Sequence, residues 1–154
     1  MANTSSNTES KVESGRERRR EGAYLVLFEL LFHKAGDENA PTASALADDL
    51  KSEFEADLTE TDIRFIVDTA EAAQAHGDEL ISFIDANSPR RKVARLPKSV
   101  LALLKLGMYE LRYMPGTPQG VVLSEIMKLC DAYSPEDKPF VNAILSEFAK
   151  VATD

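Results

Sequence analysis

The chain has 154 residues, which is enough for one domain with its own hydrophobic core. Hydrophobic residues make up 44% of the sequence and charged residues 29%, a composition typical of a folded globular protein. The formal net charge of -8 argues against a protein that binds nucleic acid over its whole surface. The sequence has no run of about 18 apolar residues and no apolar segment at its N-terminus, so we expect neither a membrane span nor a secretory signal.

Charge is distributed unevenly along the sequence. Residues 16–20 contain four arginines and one glutamate, and residues 90–98 contain five basic residues and no acidic one. Between them, residues 36–85 contain fourteen acidic residues against two basic ones. Because salt screens charges separated by more than about 8 Å, a basic segment can bind an anion although the whole chain is acidic.

Apolar residues recur at helical spacing in seven segments, and no segment shows the alternation of a strand. The predicted helices lie at about residues 16–34, 43–54, 60–76, 78–86, 100–111, 118–133 and 138–151. Thr59 and Asp62 have the spacing of a capping box before the third helix. We therefore predict an all-α protein. A disordered leader is expected over residues 1–15 and a single domain over 16–154.

The sequence offers little for catalysis or metal binding. His33 and His76 belong to different helices and Cys130 is the only cysteine, so no zinc-type cluster and no Cys–His pair can be assembled. No Gly-rich phosphate loop is present. We predict no catalytic residues, no metal and no cofactor. Cys130 lies in an apolar helical stripe, which indicates a buried side chain.

One face of the first helix combines basic and aromatic residues. Arg16, Arg20, Tyr24 and Phe28 follow one another at intervals of four, which places them on the same side of the helix. Cations and flat rings suit single-stranded RNA, because they contact its phosphates and its unstacked bases. The same spacing fits a simpler interpretation, in which the rings are core residues and the arginines solvate the helix end. The basic segment 90–98 is also open to two interpretations, since its cations could bind RNA or could belong to a solvated surface loop.

Two parts of the sequence resemble the NusB family of bacterial transcription antitermination factors. Residues 16–32, RERRREGAYLVLFELLF, are similar to the arginine-rich opening of that family, and the second half of the chain is similar to its second half. The motifs that carry the second likeness are Tyr109-Glu110-Leu111, at the end of a leucine-rich helix, and Phe140-Val141-Asn142. The sequence departs from the family at Ser124, where the family has Asn, and at Ala143, where it has Gly. The resemblance covers about residues 16–150.

The resemblance implies a seven-helix fold of two helical subdomains, at about residues 16–88 and 96–152. It also implies a cytoplasmic, RNA-binding protein without catalytic activity. Such a protein would bind the boxA element of ribosomal RNA operon leaders together with NusE, a small-subunit ribosomal protein. The pair would then join RNA polymerase in an antitermination complex. Some family members form homodimers, so a homodimer is possible here. Two alternatives stay open: a helical RNA-recognition module that acts with an RNA methyltransferase, and a protein-only adaptor.

Functional residues carried over by position fall into two groups. The residues expected to face RNA are Arg16, Arg18, Arg19, Arg20 and Phe28, to which the shared helical face adds Tyr24. The residues expected near the protein partner or RNA are Lys105, Glu110 and Tyr113.

Overall fold

The computed structural model describes residues 4–34, 36–54, 58–88 and 92–152, with side chains from residue 17 onward. Within these ranges the chain forms seven α-helices, two short 3₁₀ turns and no strand. The helices are α1 (Thr4–Leu30), α2 (Ala43–Glu53), α3 (Glu60–Ala75), α4 (Gly77–Asn87), α5 (Lys98–Tyr113), α6 (Gln119–Tyr133) and α7 (Lys138–Val151), and the 3₁₀ turns are Val93–Arg95 and Pro135–Asp137. The predicted all-α class is confirmed.

Helix α1 differs most from its predicted limits. Its backbone is helical from Thr4, so the predicted start at Arg16 is wrong. The residues in between contain no proline, and nothing therefore prevents helical hydrogen bonding from continuing back from the packed part of the helix. That residues 1–15 form a separate leader stays a prediction, because residues 1–3 and the side chains of residues 4–16 lie outside the described structure.

The predicted start signals of α2 and α3 are present. The Thr42 hydroxyl accepts a hydrogen bond of 3.1 Å from the N–H of Ala45. At α3, the Thr59 hydroxyl accepts from the N–H of Asp62 at 3.1 Å, and the Asp62 carboxylate accepts from the N–H of Thr59 at 3.0 Å. These bonds satisfy backbone donors that the helix itself cannot satisfy, which is why the sequence starts helices at these points.

Helix α5 links the two halves of the molecule. Ten of its sixteen residues are buried, and it contacts α1, α3, α4, α6 and α7. Helices α1, α2 and α3 contact one another, and so do α5, α6 and α7. The contacts of α5 with α1 and α3 join these groups, and the buried apolar side chains form one continuous core. The predicted subdomain limits at 16–88 and 96–152 stay predictions.

Gly107 explains how closely α5 approaches its neighbours. A Cβ atom at this position would lie 2.7 Å from Cδ1 of Leu145 in α7 and 3.4 Å from Cγ1 of Ile126 in α6. Glycine in mid-helix costs about 1 kcal/mol relative to alanine. The cost is offset by the packing that the missing side chain permits.

We expect Gly107→Val to lower the free energy of unfolding by about 1–3 kcal/mol, because overpacking would displace Leu145. Gly120, in the first turn of α6, provides a control, since a Cβ there meets no atom within 4 Å. Gly120→Ala is expected to leave stability unchanged or to raise it. Urea unfolding followed by circular dichroism measures both variants, and equal midpoints for Gly107→Val and wild type would contradict the close packing.

Cys130 is fully buried in α6, as predicted. Burial raises the pKa of its thiol from 9.0 to about 11. The thiolate is the reactive form of a cysteine. At neutral pH its fraction at Cys130 is on the order of 100-fold smaller than for a thiol with the ordinary pKa.

We expect iodoacetamide at pH 8 to label Cys130 in the native protein far more slowly than in the urea-unfolded protein, as measured by mass spectrometry. Equal labelling rates in the two states would contradict a buried thiol.

Candidate nucleic-acid interface

Three consecutive arginines of α1 point toward three different helices. Successive residues of a helix are about 100° apart, so Arg18, Arg19 and Arg20 leave α1 in different directions. The guanidinium carbon of Arg18 lies 5.4 Å from the ring centre of Phe54, at the end of α2. That of Arg19 lies 4.7 Å from the ring centre of Phe65 in α3. Arg20 reaches α5.

Arg20 forms a two-pronged ion pair with Glu110 of α5. Its Nε atom donates to both carboxylate oxygens, at 3.1 and 3.0 Å, and its Nη2 atom donates to Oε1 at 2.9 Å. The exposed fractions of the two side chains are 12% and 0%. A buried carboxylate is costly unless it is paired and hydrogen-bonded, and Arg20 supplies both. Its guanidinium is therefore already engaged, and it fixes α1 against α5.

Arg19 is held less firmly and faces solvent more. Its exposed side-chain fraction is 30%, and its distance of 3.9 Å to Asp62 is long for an ion pair. The guanidinium lying over the Phe65 ring is a cation–π contact, which leaves the N–H edges available to another acceptor. Of the predicted RNA-facing arginines with described side chains, Arg19 has the best geometry to meet a phosphate. The side chain of Arg16 lies outside the described structure.

The aromatic residues of the shared face divide between core and surface. Tyr24 is only 1% exposed, and its hydroxyl donates to the Ser99 carbonyl at 3.3 Å. Burial raises its pKa to about 12. The ring has no free face in this structure, which matches the core interpretation, and contact of Tyr24 with RNA stays a prediction. Phe28 is half-buried and packs edge-on against the exposed Phe32.

The three residues expected near a partner also differ in exposure. Glu110 is 1% exposed and Lys105 is 6% exposed, so neither presents a surface to a partner in this structure. Burial also lowers the pKa of the Lys105 ammonium group, although Asp78 opposes the shift. Tyr113 is at the surface, where its hydroxyl donates to Glu79 at 2.6 Å and its ring stacks on His76. Lys105 and Glu110 are covered because ten of the sixteen residues of α5 are buried, and their contact with a partner stays a prediction.

The basic segment 90–98 is only partly described. Arg90 and Arg91 lie outside the described residues. The ammonium group of Lys92 donates to the Asp85 carbonyl at 2.9 Å, which ties it to the end of α4. Arg95 is exposed, and Lys98 lies 5.2 Å from the ring centre of the exposed Phe32.

Comparison with known proteins identifies the family. The model of the NusB family matches residues 17–150. The chain belongs to the NusB family. The transcription antitermination protein NusB of Streptomyces griseus subsp. griseus is 30% identical over 142 residues, which is 88% of this chain and 92% of that protein. The protein of the same name from Agathobacter rectalis is 30% identical over 135 residues, covering 87% of this chain and 98% of that protein.

A solved structure shares the fold. T. maritima NusB superposes with a TM-score of 0.73 at 21% identity, covering 90% of this chain and 93% of that one. The NusB family match contains Arg18, Arg19, Arg20 and Glu110, whereas Arg16 precedes it. Among the described residues of this NusB-family chain, no group of His, Cys, Asp or Glu could hold a metal ion, and no helix is long and apolar enough to cross a membrane.

The contact residues predicted from the NusB-family sequence do not include Phe54, Phe65 or Phe32. The first two lie beneath arginines, and the third is 57% exposed. A signal for Phe65 was available, because it falls outside the apolar stripe of Ile63, Ile66, Val67 and Ala70. A large ring outside the core stripe is a candidate for surface contact.

We expect Glu110→Ala to lower the free energy of unfolding by about 3 kcal/mol, because it leaves the largely buried Arg20 without its main partner. Glu147→Ala is the matched control. It removes an exposed partner of Lys150, with exposed side-chain fractions of 54% and 69%, and we expect little change. Thermal and urea unfolding measure both variants. Equal changes in the free energy of unfolding would show that the Arg20–Glu110 pair stabilises the fold no more than an exposed ion pair does.

Proposed function

We propose that this NusB-family protein binds boxA RNA of ribosomal RNA operon leaders together with the ribosomal protein NusE. The complex would then join RNA polymerase to favour antitermination. The observation that carries the RNA-binding part is the position of Arg18 and Arg19, whose guanidinium groups lie over the rings of Phe54 and Phe65. Membership of a family of transcription antitermination proteins supports the wider role.

In this proposal the arginines of α1 have two roles. Arg16, Arg18 and Arg19 contact phosphates and supply a salt-dependent part of the affinity. Arg20 positions them, since its pairing with Glu110 fixes the rotation of α1. Phe28 stays a candidate for contact with a base, because it is half-buried and lies beside the exposed Phe32.

The acidic part of the chain supports a basic protein partner. Residues 36–85 carry fourteen acidic residues against two basic ones. Such a surface repels RNA and attracts a cationic protein, so complementary potentials would guide NusE to it. Of the three residues expected near a partner, Tyr113 is exposed, whereas Lys105 and Glu110 are buried. Homodimer formation stays a prediction.

The direct test is a titration of labelled boxA RNA with the full chain, with and without NusE, at several salt concentrations. We expect Arg19→Gln to weaken binding and to reduce the slope of log affinity against log salt by about 0.7, the value for one lost phosphate contact on a single strand. Lys150→Gln is the control, because Lys150 is exposed at the far end of α7, and it should bind as wild type does.

Three outcomes would separate the candidate functions. Absence of RNA binding by the wild type, with or without NusE, would contradict the proposal. NusE binding without any RNA affinity would favour the protein-only adaptor. An RNA affinity that changes neither with NusE nor with the boxA sequence would favour a general RNA-recognition module of the kind that acts with an RNA methyltransferase.

A further inference from the structure

A cleft of about 610 Å³ lies beside the arginines, between α1 and α3 on one side and the α5–α6 connection on the other. Its volume falls within the range of about 300–1,000 Å³ that is common for small-molecule pockets. The residues that matter for its chemistry are Arg19, Phe65, Met114, Thr117, Val121 and Lys128. The cleft therefore brings Arg19 together with the apolar side chains of Phe65, Met114 and Val121.

Phe65 is the distinctive residue of this cleft. Among the half-buried phenylalanines of the described structure, it is the one that does not pack against the hydrophobic core. Its ring lies instead under the guanidinium of Arg19. Val121, across the cleft, is 46% exposed. An aromatic ring that contributes nothing to the core, beside exposed apolar surface, is suited to stacking on a flat ligand.

The charges around the cleft favour a neutral ligand group at its α6 side. Lys128 donates to Glu17 at 2.9 Å and to Glu125 at 3.1 Å, so its single positive charge is shared by two carboxylates. This side repels phosphate, whereas the opposite side carries Arg19. A nucleotide would therefore hold its phosphate at Arg19 and direct its uncharged base inward. The hydroxyl of Thr117 can donate to or accept from a base edge.

We propose that this cleft holds one unstacked base of a single-stranded RNA, stacked on Phe65, with the neighbouring phosphate on Arg19. This inference rests on the RNA binding proposed above and adds a site for base recognition to it. The base enters beside the guanidinium of Arg19, which is only weakly held by Asp62 at 3.9 Å. Met114 and Val121 line the rest of the apolar surface.

The test compares Phe65→Leu with Phe54→Leu in the full chain. Leucine keeps an apolar side chain but removes the ring. Phe54 is a matched control, because it also lies under an arginine but packs against the core and outside the cleft. Each variant is titrated with boxA RNA and with a set of RNAs in which one base at a time is removed, and urea unfolding verifies that each variant is folded.

We expect Phe65→Leu to weaken RNA binding by about 5- to 150-fold, the range for the loss of one base–aromatic stack. The salt dependence should stay that of wild type, because no phosphate contact is lost. One abasic RNA should weaken wild-type binding by a similar factor and should not weaken Phe65→Leu further. Phe54→Leu should keep the wild-type response to every abasic RNA.

Failure of this inference differs from failure of the proposed function. If wild type and Phe65→Leu bind boxA RNA equally well, the cleft holds no base while RNA binding stands. The same conclusion follows if Phe65→Leu weakens binding by the same factor for every abasic RNA. If Phe65→Leu weakens NusE binding and leaves RNA affinity unchanged, the cleft is a protein surface and the inference is wrong. If wild type binds no RNA, both proposals are wrong.

Discussion

The pairing of Arg20 with Glu110 is the constraint on which the rest of the surface depends. A carboxylate with no exposed side-chain area must be compensated where it lies, in the last turn of α5, and one arginine of α1 does so with hydrogen bonds of 2.9 to 3.1 Å. Once Arg20 points inward, helical geometry directs Arg19 toward α3 and Arg18 toward α2. The arrangement of charge at the surface is therefore set by an interaction in the interior, and that interaction also joins the two helical groups.

Much of the fold follows from local signals in the sequence. The seven helices, the capping box at Thr59 and the burial of Cys130 follow from residue type and from spacing within about one helix length. The start of α1 does not follow in the same way, since polar residues without proline are compatible with either helix or disorder. Length and periodicity leave that choice open.

The candidate site was less predictable, for a physical reason. Spacing places Arg20, Tyr24 and Phe28 on one face of α1 correctly, but it does not tell which way the face points. That depends on Glu110 and Ser99, which are distant in sequence and meet the face only in the folded chain. Residue type was also misleading for Lys105 and Glu110, because charged side chains are normally exposed and these two are buried.

The rings beneath Arg18 and Arg19 have a consequence for how tightly an anion can be held. A free arginine side chain has many rotamers, and ordering it upon binding costs entropy. Here Phe54 and Phe65 restrict the two guanidinium groups as soon as α2 and α3 pack against α1. Part of the ordering therefore occurs during folding instead of during association, so the surface is pre-organised. Lysine would carry the same charge, but its compact ammonium group lacks the flat face by which these rings hold a guanidinium in place.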